Sequence, residues 1–109
     1  MQYSNYGWII TWANPNIFRS DEIHEYLRAA GPRNIDPEFY QALNAGIDPN
    51  NDNVFKFSLY DDDNEIYFRG VMIAEGDAEG CEPLYDWGEA FGCVMLKADY
   101  RDGKVEYFG

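Results

Sequence analysis

The residue types best suited to chemistry are the carboxylates of two short acidic segments. Asp61-Asp62-Asp63-Asn64-Glu65 offers several hard oxygen ligands, and Asp48-Pro49-Asn50-Asn51-Asp52 copies the opening D-x-N-x-D of a calcium-binding loop. Neither segment completes that motif, because Asn53 stands where the loop requires glycine and Leu59 stands where it requires a bidentate glutamate. We therefore predict no metal site and interpret both segments as solvated turns.

Nucleophilic and acid–base chemistry has weak support in the sequence. The single histidine, His24, and the two cysteines, Cys81 and Cys93, are too few for a four-ligand zinc site. The sequence contains no G-x-S-x-G nucleophile motif and no glycine-rich phosphate loop. Neighbouring carboxylates arise by chance among 20 acidic residues, so they are not a specific sign of acid–base catalysis. We predict a protein that is not an enzyme, with no catalytic residue and no cofactor.

The most informative property of the sequence is its charge. The chain has 20 acidic and 8 basic residues, a formal charge of −12. Residues 36–65 include Lys56 as their one basic residue, and residues 70–96 include none. A field of this sign repels nucleic-acid phosphates and anionic lipid headgroups, and it attracts basic protein surfaces. We therefore predict a basic nucleic-acid-binding protein as partner, without direct binding to nucleic acid or membrane.

Carboxylates at strand or helix spacing can imitate the phosphates of DNA. Duplex DNA carries one negative charge per roughly 1.7 Å of its axis, so an acidic folded surface can occupy a groove built for phosphates. The acidic residues of one predicted hairpin turn and the tyrosines beside them are the candidate partner-binding residues: Asp61, Asp62, Asp63, Glu65, Tyr60 and Tyr67. Net negative charge also keeps a small protein soluble without any mimicry, and both interpretations stay open at this point.

Hydrophobic alternation and turn residues predict five strands. They are Trp8–Ala13, Val54–Tyr60, Glu65–Ala74, Val94–Tyr100 and Lys104–Phe108. Two pairs of these strands should form hairpins, one around Asp61–Asn64 and one around Arg101-Asp102-Gly103, because Asp-Gly is a strong short-range hairpin signal.

Two short helices are predicted between the first strand and the hairpins. Ser20 should cap the first helix, and Gly31-Pro32 should end it. Its apolar positions recur at helical spacing: Ile23, Tyr26, Leu27 and Ala30. The second helix should begin at Asp36 and end at Gly46. Residues 48–53 and 75–93 are predicted as loops because they are rich in turn residues.

These elements together predict one α+β domain over residues 1–109. It has one N-terminal strand, two short helices and then a mainly antiparallel sheet of hairpins. The start of the chain lacks the positive n-region of a signal peptide, and Trp8–Ala13 is too short to span a membrane. We therefore expect a cytoplasmic protein.

The later part of the chain resembles a group of small proteins encoded by bacteriophages and their bacterial hosts. The resemblance rests on Gly31-Pro32-Arg33, Phe57–Gly70, Pro83–Gly88, Gly92-Cys93 and Gly103-Lys104. Members of that group typically read F-x-L-Y-D-D-D-G-E-x-Y-Y-x-G and later P-L-x-D-[FW]-G. This chain has asparagine at the usual turn glycine, and its loop before the second cysteine is shorter and lacks a Pro-Asn pair.

The resemblance implies an origin in phage or mobile-element genomes, without implying an activity. Small acidic phage proteins that lack catalytic motifs are often inhibitors of host defence, so source and charge together favour such a role. We predict an anti-restriction or anti-CRISPR type inhibitor that blocks a host nuclease or CRISPR effector by protein binding. The alternative is a non-catalytic phage accessory or assembly protein whose acidity only confers solubility.

Overall fold

Six strands form the sheet of the described chain, which comprises residues 6–27, 29–32, 54–74, 80–100 and 103–109 of a computed structural model. They are β1 (Tyr6–Ala13), β2 (Ala30–Pro32), β3 (Val54–Tyr60), β4 (Ile66–Ala74), β5 (Met95–Asp99) and β6 (Val105–Phe108). They form one sheet in the order β2-β1-β4-β3-β5-β6, and every neighbouring pair is antiparallel. The predicted mainly antiparallel sheet is confirmed.

The helices of the described segments are short. They are α1 (Ser20–Tyr26), α2 (Glu82–Asp86) and a 3-10 helix at Gly88–Phe91. At the start of α1, the backbone N–H of Arg19 donates to the Glu22 carboxylate over 3.0 Å. Ser20, the predicted cap, is instead the first helical residue. Two helices and an antiparallel sheet agree with the predicted α+β class.

The first helix ends earlier than its hydrophobic spacing predicted. Ala30, which we expected on the apolar face of that helix, pairs with Ile9 of β1 in strand β2. Gly31 pairs with Trp8, and a Cβ at Gly31 would collide with the indole ring. The close approach of Trp8 to a residue without a side chain therefore favours a strand here, and strand pairing overrides the local helical pattern.

The prediction of an irregular loop over residues 75–93 is wrong for Glu82–Phe91, which form α2 and the 3-10 helix. Proline is tolerated in the first turn of a helix, so Pro83 does not oppose α2. The Glu82 carboxylate accepts the N–H of Gly80 over 2.6 Å just before the helix. The predicted second helix (Asp36 to Gly46), the loop at residues 48–53 and the pair Arg101-Asp102 lie outside the described residues.

One face of the sheet packs against both helices and the 3-10 helix. Its buried strand residues include Trp8, Ile10, Phe55, Phe57, Leu59, Phe68, Met72 and Leu96. Aromatic rings fill the space between this face and the helices: Phe18 stacks on Phe68 with ring centroids 5.0 Å apart, and Tyr26 meets Phe91 at 5.1 Å. These contacts place α1 beside the 3-10 helix.

No helix in the described part of the chain is long and apolar enough to cross a membrane.

Candidate functional site

The turn between β3 and β4 is held by its own backbone. The N–H of Asp61 donates to the Glu65 carbonyl over 3.0 Å, and the N–H of Asn64 donates to the Asp61 carbonyl over 3.2 Å. Asn64 has a φ of 62°, in the left-handed region that glycine and asparagine tolerate best. The turn therefore requires a residue of this kind at position 64.

Asp61 is a structural residue of this turn. Its side chain is buried, and its Oδ1 accepts the backbone N–H groups of Asp63 and Glu65, each over 2.9 Å. Asp62, Asp63 and Glu65 are exposed. Among the four acidic residues predicted to contact a partner, the turn thus presents three to solvent and uses the fourth to fix their position.

Two further groups surround the Asp61 carboxylate. The Tyr67 pKa is raised by burial, by the negative charge of Asp61 and by a hydrogen bond to it. Burial, with a smaller contribution from Asp61, raises the pKa of the Cys93 thiol to about 12. Cys93 is therefore a protonated thiol at neutral pH. Cys81 and Cys93 are both buried, and they are not joined by a disulfide.

Carboxylate oxygens of Asp61, Asp62 and Asp63 lie within 4.8 Å of one another. Because Asp61 Oδ1 already accepts two N–H groups, the cluster consists of one carboxylate that holds the turn and two that face solvent. Asp48-Pro49-Asn50-Asn51-Asp52, the calcium-like segment, lies outside the described residues.

We expect Asp61→Ala to lower the free energy of unfolding by about 1–3 kcal/mol, because two N–H groups lose their acceptor. Urea denaturation followed by circular dichroism measures this change. Asp62→Ala is the matched control: Asp62 is the exposed neighbour of Asp61, and its loss should change stability by less than about 0.5 kcal/mol. Equal effects of the two substitutions would contradict a structural role for Asp61.

The acidic residues of the helices lie on the same side of the sheet as this turn. Phe18, just before α1, contacts Phe91 of the 3-10 helix and Tyr67 beside the turn, with ring centroids 5.9 and 5.7 Å apart. The exposed and half-exposed carboxylates of these elements, which we call the acidic layer, are Asp21, Glu22, Glu25, Asp62, Asp63, Glu65, Glu82, Asp86 and Glu89. Within residues 19–26, 61–65 and 82–91, Arg19 is the one lysine or arginine.

Asp86 also connects α2 to the sheet. Its Oδ2 accepts the Tyr6 hydroxyl over 2.8 Å and the Trp8 Nε1–H over 3.2 Å. Burial, followed by the hydrogen bond and charge of Asp86, raises the Tyr6 pKa to about 12. This favours the protonated phenol in the fold, so its stabilising effect is intact below the ordinary tyrosine pKa of about 10 and is lost as the pH rises through about 12.

The two tyrosines predicted as anchors lie on opposite faces of the sheet. Tyr67 contacts Phe18 on the helical side, whereas Tyr60 lines a cleft on the other face. The turn therefore carries one of the predicted aromatic residues on the side of the acidic layer, and it directs the other away from it.

The cleft contains functional candidates that the sequence did not indicate. Its lining includes Thr11, Trp12, Lys56, Ser58, Tyr60, Arg69, Val71, Lys97 and Asp99. Alternation along β3 predicts that Lys56, Ser58 and Tyr60 share a face. The pairing of β3 with β5, which brings Lys97 beside Ser58, joins distant segments and leaves no local signal.

His24 is an exposed residue of α1, whereas the two cysteines are buried, and His24 does not line the cleft.

Comparisons with protein-family models, with curated proteins and with solved structures find no match for this chain. The resemblance to the phage-encoded group thus stays a prediction.

Proposed function

We propose that this chain is an anti-restriction or anti-CRISPR type inhibitor that binds the basic nucleic-acid-binding surface of a host nuclease in the host cytoplasm. The acidic layer is the contact surface. It includes Asp62, Asp63 and Glu65, which the sequence predicts as partner-binding residues. Tyr67 flanks them, and Asp61 contributes indirectly by holding the turn.

The observation that carries this proposal is the separation of charge between the two sides of the sheet. The acidic layer combines nine carboxylates with Arg19, whereas Lys56, Arg69 and Lys97 line the cleft on the opposite face. Arg19 lies 3.5 Å from Glu22 and 3.7 Å from Asp21, in exposed ion pairs that contribute little to stability. A surface of this sign suits a groove that normally holds phosphates.

Phage plating on strains with defined defence systems tests the proposal. The chain is expressed in bacteria that carry a single restriction or CRISPR system, and the plating efficiency of a targeted phage is measured. We expect a rise of at least about a hundredfold in one strain, because a bound inhibitor removes most of the nuclease activity. No rise in any strain of a broad panel would refute the inhibitor role.

Binding to the nuclease identified in this way then tests the surface. Raising salt from about 50 to about 200 mM should weaken binding at least tenfold, since charge complementarity drives association. Asp63→Lys should weaken binding by about tenfold or more. Glu106→Lys makes the same change in net charge on β6, outside the acidic layer, and should change affinity less than about twofold. Equal losses would show that net charge, and not this surface, determines binding.

One observation favours the alternative of a phage accessory or assembly protein. β6 is an edge strand, and its Val105 and Tyr107 are 45% and 61% exposed. Apolar side chains on an edge strand can pair with another chain. Analytical ultracentrifugation distinguishes the two candidates: self-association that persists at high salt, without any effect on phage plating, would favour the accessory role.

A further inference from the structure

The face of the sheet opposite the acidic layer carries a cleft of about 530 Å³. Sites for small molecules typically have volumes of about 300–1,000 Å³. Lys56, Arg69 and Lys97 line the cleft, whereas Asp99 is the one acidic residue among its described lining residues. In a chain with 20 acidic and 8 basic residues, this reverses the prevailing charge. A local excess of positive charge favours an anionic ligand.

Strand register brings the three cationic side chains around one residue. Ser58 pairs with Arg69 on one side and with Lys97 on the other. Lys56 precedes Ser58 by one full pleat on the same face, about 7 Å along β3, and adjacent strands are about 4.8 Å apart. Ser58 is 7% exposed and lies at the floor. Three long side chains at these separations can reach a single phosphate group.

Asp99 is the one carboxylate among the described lining residues, and it pairs with Lys56 across β3 and β5, so the three cations exceed it by two charges. Lys97 Nζ lies 3.7 Å from Asp99, with both side chains partly exposed. Arg69 lies 4.8 Å from the centroid of the Trp12 ring, which orients the guanidinium without neutralising it. Among the described residues, no carboxylate lies within 4.0 Å of Lys56 or Arg69.

The cleft also presents aromatic rings beside the cations. The register shift between Ile10 and Trp12 is a bulge, and both Thr11 and Trp12 consequently line the cleft. Tyr60 lines it from β3. Aromatic side chains bind planar bases by stacking, and this recognition tolerates different bases.

We propose that this cleft binds a nucleotide. Lys56, Arg69 and Lys97 hold its phosphates, and Trp12 and Tyr60 contact its base. An extended nucleic acid is disfavoured because the net charge of −12 repels the phosphates that would lie beyond the cleft. A single nucleotide places all of its charge beside the three cations. The proposal is independent of the inhibitor role, since it uses the opposite face of the sheet.

Isothermal titration calorimetry of the full chain with ADP tests the proposal. Adenosine supplies the base without phosphate, and pyrophosphate supplies phosphate without the base. We expect ADP to bind at least about tenfold more tightly than either, since each lacks one set of contacts. Equal affinity for pyrophosphate and ADP, no heat with ADP, or tighter binding of a single-stranded oligonucleotide than of ADP would each overturn the proposal.

Single substitutions test whether the cleft is the site. Lys56→Gln and Arg69→Gln remove exposed cations and should each weaken ADP binding roughly tenfold. Arg19→Gln makes the same charge change on the helical side and should leave the affinity unchanged within about twofold. Thermal melting verifies that all three variants fold. Uniform affinity across the three variants would place any ADP binding elsewhere and overturn the assignment.

Discussion

Phe68→Ala should lower the free energy of unfolding by about 3–5 kcal/mol, the range typical for removal of a buried phenylalanine. Phe68 is fully buried, and four rings from the helical side surround its own. The centroid distances are 4.9 Å to Phe91, 5.0 Å to Phe18, 5.6 Å to Trp87 and 5.8 Å to Tyr26. The substitution opens a cavity at the contact between the helices and the sheet, so the surrounding rings cannot all close it.

Urea denaturation monitored by circular dichroism measures this loss. Small domains are stable by only about 5–15 kcal/mol, so the variant should unfold at a much lower urea concentration than the natural chain. Tyr107→Ala is the control, because it removes a ring that is 61% exposed on β6 and should cost less than about 0.5 kcal/mol. Similar midpoints for both variants would show that the ring cluster does not hold the helices on the sheet.

The strands of the two hairpins could be predicted because their signals are local. In β3, Phe55, Phe57 and Leu59 alternate with residues that face the opposite side of the sheet. The acidic turn marks where the chain reverses. β2 could not be predicted in this way. Ala30 continues a helical spacing, and its place in the sheet depends on pairing with Ile9 in a distant segment.

The candidate site also has a part that local sequence signals predict and a part that depends on pairing between distant strands. The exposed carboxylates of the turn follow from a run of acidic residues between two strands, and the structural role of Asp61 agrees with the tendency of aspartate to accept N–H groups two residues further on. The cleft could not be predicted, because Lys97 is brought to Ser58 by the pairing of β3 with β5, which are distant in the sequence, although Arg69 reaches Ser58 through the predicted hairpin. Periodicity determines which face a side chain occupies, but it does not determine which strands are neighbours.

Gly70→Ala should lower the free energy of unfolding by about 3 kcal/mol or more, because the added methyl group has no space. Gly70 lies in β4 between Ile10 of β1 and Phe57 of β3. A Cβ at this position would come closer than 3.0 Å to both the Ile9 carbonyl oxygen and the Phe57 ring. The ring can rotate, but the carbonyl belongs to the backbone of the adjacent strand and can move only if the strand pairing is disturbed.

Gly92→Ala is the control for Gly70→Ala, because it introduces backbone strain without a collision. Gly92 has a φ of 91°, and a Cβ there would have no atom within 4 Å, so Gly92→Ala should cost only about 1–2 kcal/mol from backbone strain. Chemical denaturation of both variants gives the comparison. Adding Phe57→Leu to Gly70→Ala relieves the contact with the ring and leaves the contact with the Ile9 carbonyl. We therefore expect the double variant to stay strongly destabilised, and full recovery would show that the ring alone requires glycine at position 70.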